Sequence, residues 1–499
     1  MTPRTILGSA LSLAVILGCG GKKSPPAGGS GTSSGTADAA VTLDAPVAVA
    51  PPKDLPPLAA DPGGNTGTVE KVVSFGGPRT DSPRGLAVAP DGGVIVSGYF
   101  EDAAKFGALT VTSVGKSDAY AARIERDGTF TWVRPIGSVN EDVGDTVAVA
   151  PDGTIAVGGL FSAKVAVGKL EATAEGSDDL FVAGLGPDGT PRWLWTAGGP
   201  GSDAVTAMAA TPDGGFIVGV SWLATARFGA QELTALAYDD AALVKLSAGG
   251  DVQWVRRISG EGSESVRRIA VDGNGDIYVL GTFQQTIDVG GGPLTSAGAM
   301  DLLIAGFDSN GNHRWSQRVG NPWNEVAGGL AVDRAGNLVL TGSFDRDVDF
   351  LGTPIVSAGE SDIVVARLTR DGKPQWVKRF GSQREDIGYG IATDDAGNLL
   401  LTGWFENPIK FGGSALTAHG QKDGFIAKLA PDGAHLWSTS FGDWDNDAGN
   451  AIAVAPDGAV WLTGIFRYAL GLGTEAITSI QVPGAKVQFS DSFVARFAR

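Results

Sequence analysis

From residue 67 onward a period of 61 residues governs this chain. A turn glycine recurs at Gly92, Gly153, Gly214, Gly275, Gly336, Gly397 and Gly458, each step equal to that from Gly92 to Gly153. An aromatic residue follows at Phe100, Phe161, Trp222, Phe283, Phe344, Phe405 and Phe466, again without one insertion. A second turn glycine recurs at Gly67, Gly128, Gly189, Gly250, Gly311, Gly372 and Gly433. Four residues after six of these stands a tryptophan (Trp132, Trp193, Trp254, Trp315, Trp376, Trp437), and Lys71 holds that place in the first. Such a register restricts the chain to an array of identical supersecondary units.

Each unit reads as two hairpins. "GLAVAPDGGVIVSGYF" and "DAYAARIERDGTFTW" are β-rich arms joined by Asp-Gly turns, whose glycine supplies the positive φ of a tight hairpin. Two hairpins make a four-stranded sheet. Small residues crowd the first strand, as the axis of a ring demands, and a bulky Trp stands on the last, where the rim is wide. The chain holds one orphan strand at 68–77, six complete units, and a last unit that stops after its third strand, "DSFVARFAR" at 491–499. The orphan fits the place of the missing strand. The expected fold is therefore an all-β, seven-bladed β-propeller of four antiparallel strands per blade, closed by pairing strand 68–77 with strand 491–499 and leaving no open sheet edge at the ends.

The patterns "AVAPDGGVIVSGYF" and "DAYAARIERDGTFTW" resemble the SBBP repeat, a bacterial seven-bladed β-propeller repeat, over about 67–499. The resemblance implies fold more than activity, with members mostly secreted or surface proteins. Val220, where the other units end the second strand in Gly, and a seven-residue insertion within 473–491 are departures from the pattern. The spacing of Ala122, Gly128 and Trp132 also resembles the tryptophan-docking repeat of quinoprotein propellers and of an eight-bladed scaffold in outer-membrane barrel assembly. Seven units rather than eight count against both, and shared packing explains the spacing without cofactor chemistry.

The N-terminus has a different character. Arg4, an apolar run from Ile6 to Leu17, and Gly18-Cys19 have the layout of a secretory signal too short to span a bilayer. Ile16-Leu17-Gly18-Cys19 resembles the lipobox of bacterial lipoproteins, which implies a signal peptide over 1–18 and acylation of Cys19, the only cysteine. Several acyl chains anchor a protein without a spanning helix. Gly20 is not the aspartate of inner-membrane retention, so the expected place is the outer membrane, on its surface or periplasmic side. Residues 19–66 are Gly/Ser/Pro/Ala-rich and read as a disordered tether whose coil dimension is roughly 40 Å.

A formal net charge of −17 opposes nucleic-acid binding and suits cations or basic partner surfaces. Two acidic series recur, both opening strands that start from one face. The inner series is Asp81, Asp142, Asp203, Glu264, Glu325, Asp386 and Asp447, and the outer is Asp118, Asp179, Asp240, Asp301, Asp362, Asp423 and Asp491. Each carboxylate either caps a turn or contributes to a ring of ligands over the channel mouth. Strict recurrence favours capping; the inner series, with two Glu, is the better functional candidate. Calcium candidates are Asp272, Asn274 and Asp276 in a hairpin turn, and Asp345, Asp347 and Asp349 in a loop between second and third strands. Unrepeated loop residues are where specificity belongs. Trp323 in "GNPWNE" and Trp444 in "GDWDND" interrupt inter-blade connections and are candidate ligand platforms. His313, His419 and His435 fall at non-equivalent places, and no zinc spacing, phosphate-cradling loop or nucleophile elbow is present. The expectation is a non-catalytic, lipid-anchored module with a protein or carbohydrate ligand and no cofactor, calcium remaining open. Alternatives are a periplasm-facing assembly scaffold and a quinone-dependent or hydrolytic propeller.

Overall fold

The computed structural model describes residues 67–473, 475–480 and 489–499. Cys19, the signal and the tether expected over 1–66 lie outside the described residues, as does 481–488 within the insertion.

Every regular element in the described residues is a β-strand. They form seven antiparallel blade sheets of four strands each, one of which continues through Ser259 and Gly260 into a short hairpin of the next blade to make six strands. Six blades take their four strands in chain order from inside to outside. The first runs Asp81–Val88, Val94–Phe100, Asp118–Ile124 and Phe130–Ile136. The two middle strands are buried along nearly their whole length, because each is covered on both faces by neighbouring blades. Innermost strands abut in order around the molecule, and the last, Ala448–Val454, abuts the first. The ring is closed.

Closure uses the orphan. In the seventh sheet Val69–Phe75 pairs antiparallel with Asp491–Phe497, in a register that sets Val72 opposite Ala495 and Val73 opposite Val494. The apolar core is divided the same way, with seven large clusters, each shared by two adjacent blades. The cluster between last and first blades contains Phe75 from the orphan strand beside Phe106, Tyr120, Phe130 and Val494. The Phe75 ring lies 5.2 Å from that of Phe106 and 5.4 Å from that of Phe130. The N-terminal strand is thus a component of the core.

The tryptophan series fastens each rim to the next blade. Trp132, Trp193, Trp315 and Trp376 each donate an indole N–H to the carbonyl 55 residues onward, in the outer turn of the following blade, at 2.9–3.1 Å. The turn glycine there faces the indole: a Cβ on Gly189 would stand 2.7 Å from the Trp132 ring, and one on Gly250 2.6 Å from Trp193. That is why the second glycine and the tryptophan repeat together. A glycine at that place in the turn leaves room for the indole to reach the carbonyl beneath it.

Between second and third strands the structure holds regular elements where the sequence suggests a loop. Six blades insert a short hairpin there, such as Ala103–Phe106 with Leu109–Thr112 and Lys164–Val167 with Leu170–Thr173, and the remaining blade keeps one bridge between Ile409 and Leu416. Phe106, Val167 and Phe228 on these hairpins are buried. The hairpins brace neighbouring blades: Gly76 pairs with Lys105 and Gly198 with Arg227, each glycine ending the rim strand of the preceding blade. Asp349 therefore sits in a hairpin strand (Val348–Phe350) rather than in a loop.

Candidate functional site

First and third strands start from the same end of the ring. That end carries the inter-blade connections and the inserted hairpins and is called the loop face; the opposite end carries the Asp-Gly turns.

Both acidic series lie at the loop face, but they are buried. The seven inner carboxylates are at most 2% exposed and the seven outer ones at most 4%. Inner carboxylates accept the backbone N–H four residues upstream: Gly77 to Asp81 at 2.6 Å, Ser138 to Asp142 at 2.7 Å, Gly199 to Asp203 at 2.9 Å, Gly260 to Glu264 at 3.0 Å, Ser382 to Asp386 at 2.6 Å and Asp443 to Asp447 at 2.9 Å. Outer ones cap the loop before the third strand, as in Val114 to Asp118 at 3.1 Å and Ala297 to Asp301 at 2.9 Å. Three are joined by a rim arginine: Arg257 to Asp240, Arg318 to Asp301 and Arg379 to Asp362.

At each junction the inner carboxyl of one blade faces the outer carboxyl of the blade before. A Cβ on Gly137 would meet both Asp142, at 2.8 Å, and Asp118, at 3.0 Å. Burial pushes the inner groups upward, and the outer neighbour adds to the shift. Asp81 and Asp203 rise to about 8, Asp142, Glu264 and Asp386 to about 7, and Glu325 to about 9. The arrangement clips six blade junctions by hydrogen bond, and at the seventh Glu325 is buried without one; it presents no open carboxylate ring to solvent.

The calcium candidates are separated in the same way. Asp272 Oδ1 accepts the N–H groups of Asn274 and Asp276 at 2.9 and 3.0 Å, while its other oxygen meets Arg370. Asp276 pairs with Arg314 at 2.6 Å. This turn lies at the end opposite the loop face. Asp347 accepts the Ser357 N–H at 3.1 Å and Asp349 that of Gly352 at 2.6 Å, so Asp345, Asp347 and Asp349 serve different turns. Among the described residues no three His, Cys, Asp or Glu side chains are grouped to hold a metal ion.

Trp323 and Trp444 stand on the loop face, 54% and 56% exposed. The Trp444 ring stacks on Tyr468 at 4.3 Å, and the Arg346 guanidinium lies 5.7 Å from the Trp323 ring centre. Arg346 and Tyr468 occupy equivalent positions in their blades, both with positive φ. The two tryptophans are in blades two apart and form separate platforms.

Sequence reasoning missed two features. Among the described residues every exposed large hydrophobic side chain is at the loop face: Val114, Val139, Leu223, Leu236, Tyr238, Trp323, Val326, Val356, Trp444 and Ile480. None repeats strictly, so the period does not reveal them. Every innermost strand also carries a β-bulge, and the extra residues are Arg84, Asp145, Thr206, Arg267, Gly328, Tyr389 and Asn450. These keep the 61-residue spacing but not the residue type, which hides them from a search for conserved letters along the repeat.

The β-propeller repeat family SBBP matches at residues 253–282 and 375–404, two windows in the same phase of the repeat. The regulatory protein FlaEY of Caulobacter vibrioides is 25% identical over 202 residues, 38% of this chain and 21% of that protein. An uncharacterised WD repeat-containing protein of Acanthamoeba polyphaga mimivirus is 21% identical over 267 residues, 44% of this chain and 19% of its own. The matched part thus spans about a fifth of each curated relative. Among solved structures, Sqt1 from Chaetomium thermophilum aligns over 86% of this chain and 98% of its own at 10% identity and a TM-score of 0.40. With seven closed sheets and two repeats matching that family, this chain is a seven-bladed β-propeller carrying SBBP-type repeats.

Proposed function

We propose that the protein is a non-catalytic interaction module of the bacterial cell envelope, anchored by lipid on Cys19, which engages a protein partner through the loop face. One observation carries this reading: the exposed large hydrophobic side chains of the described residues are confined to that face. Scattered surface apolar groups need no explanation, but their segregation to one end of a ring marks a contact surface. A protein partner suits it better than a glycan. Val114, Val139, Leu236, Val356 and Ile480 offer aliphatic surface, and Tyr468 already covers one side of the Trp444 ring. Apolar burial with aromatic anchors is the usual composition of a protein contact core.

Crosslinking mass spectrometry on intact cells tests the reading. Crosslinks to a partner are expected from loop-face segments and not from the Asp-Gly turns at the other end. The double variant Trp323→Ala/Trp444→Ala is expected to weaken the interaction by about 2 kcal/mol or more. Partner crosslinks mapping to the Asp-Gly turn end would refute the assignment of the face. For the anchor, Cys19→Ser is expected to abolish metabolic labelling by palmitate and to release the protein from membranes. Unchanged membrane fractionation of that variant would refute the anchor.

A further inference from the structure

Between the fifth and sixth blades the rim opens into a cleft of about 550 Å³, a volume in the range of small-molecule sites. One side is the rim strand of the fifth blade, Pro374–Phe380. The other belongs to the sixth blade, the one that keeps a single bridge, Ile409 to Leu416, where the others insert a hairpin. Phe380 and Phe411, both buried with ring centres 5.1 Å apart, form the floor. Lys378, Arg379 and Lys410 line the same cleft, and among the described residues no carboxylate does. Three cations thus converge on one concave place in a chain whose net charge is −17. A cleft lined by one sign of charge over apolar walls focuses its field on an incoming counter-ion.

Each cation keeps donors to spare. Arg379 gives one guanidinium nitrogen to Asp362 at 3.2 Å. Lys378 Nζ donates to the Gly433 carbonyl at 2.5 Å, which uses one of its three hydrogens. Lys410 is exposed and makes no ion pair among the described residues. His435 is a wall rather than a charge: its Nε2 lies 3.0 Å from Ser438 Oγ, and a Cβ on Gly413 would stand 2.5 Å from its ring.

The molecule holds its own control two repeats earlier, at the junction of the third and fourth blades. Arg256 and Arg257 stand there where Lys378 and Arg379 do, and Arg257 meets Asp240 as Arg379 meets Asp362. His313 bonds Ser316 at 3.1 Å and packs beside Gly291 in the same manner as His435. Asp288, however, holds the place of Lys410 and accepts the N–H groups of Gly290 and Gly292 at 2.8 and 3.2 Å. Ile258 and Val289 replace the two phenylalanines. That junction supplies its own oxyanion to the turn. In the sixth blade the equivalent glycine, Gly412, lines the cleft, and Lys410 has no lone pair to offer it. The frame is therefore a property of the fold, whereas the third cation, the missing acceptor and the aromatic floor are particular to this cleft.

A guanidinium fork beside two ammonium point charges suits a doubly charged oxyanion better than a single carboxylate. We propose that this rim cleft binds a phosphomonoester, its oxyanion held by Lys378, Arg379 and Lys410 and its organic body over Phe380 and Phe411. A soluble ester and a lipid headgroup share that chemistry. None of the lining residues is among the exposed apolar side chains of the loop face, so this site and that contact surface fail separately.

Two assays separate the sources. One is isothermal titration of the full-length protein with phenyl phosphate at constant ionic strength. The other is co-sedimentation of full-length Cys19→Ser protein, so that no acyl anchor contributes, with phosphatidylcholine vesicles containing or lacking phosphatidic acid. Saturable binding at one per chain in the first, or sedimentation that requires phosphatidic acid in the second, is expected. Lys410→Asp places at an exposed position the side chain its counterpart carries, and should weaken the observed binding about tenfold or more. Lys105 is exposed at the same place in the first blade, beside Val73 and Ser74 instead of two cations, and Lys105→Asp should change binding about twofold or less. Equal losses from both substitutions would show diffuse surface attraction and overturn the proposal, as would absence of binding in both assays.

Discussion

Glu325→Gln isolates what burial does to a single junction carboxyl. Glu325 is 1% exposed, neither carboxyl oxygen makes a hydrogen bond of good geometry, and Asp301 stands nearby. Burial first, and then Asp301, raise its pKa from 4.5 to about 9, so the folded protein holds it neutral across the physiological range. The unfolded chain ionises it near 4.5. Between those values the native state binds more protons than the unfolded state, so stability falls as pH rises. The slope from one such group is about 1.4 kcal/mol per pH unit. From pH 5 to pH 8 this one residue withdraws about 4 kcal/mol. Gln has nearly the same shape and does not titrate. Urea unfolding of both proteins at pH 5, 6.5 and 8 should show similar stability at pH 5 and a widening advantage for the Gln variant towards pH 8. A difference constant over that range, or a variant less stable at pH 8, would show the carboxyl ionised in the fold and refute the reasoning.

Two further outcomes follow from the same geometry. Gly189→Ala forces a side chain into backbone with φ of +76° and against the Trp132 ring, and should cost about 2–3 kcal/mol in urea unfolding; a neutral effect would mean the rim does not depend on indole docking. Because arginines and backbone already hold the calcium candidates, a thermal melt with chelator or with millimolar Ca²⁺ should agree within about 1 °C, and a larger rise with Ca²⁺ would contradict that assignment.

The blades were legible because a period of 61 residues is fixed by covalent sequence and strand alternation. Gly92 and Gly128 mark turns whose positive φ admits few other residues. The orphan strand could be placed because closing a ring leaves one position for it. The inserted hairpins were less visible: their strands are three or four residues long, and their turns are announced by one positive-φ position, Gly107, Gly168, Gly229, Gly290, Gly412 and Gly473 with Leu351 in the remaining place. For the acidic series a capping carboxylate and a ligand carboxylate look identical in sequence. Burial separates them, and it depends on glycines such as Gly137 that let two blades close over both groups. The bulge residues escaped notice for the opposite reason, since Arg84, Asp145 and Tyr389 share a position but no chemistry.

Closure by the two chain ends is the claim on which the other assignments stand. Val73 and Val494 are directly opposed across the first and last described strands. Cys19 being the only native cysteine, the variant Cys19→Ser/Val73→Cys/Val494→Cys offers a single possible intramolecular bond. Under mild oxidation the circular arrangement predicts a faster-migrating monomer on non-reducing gels, reverting with reductant, in a protein that keeps its wild-type circular dichroism. Free thiols persisting in the folded protein, or only intermolecular dimers, would contradict the ring.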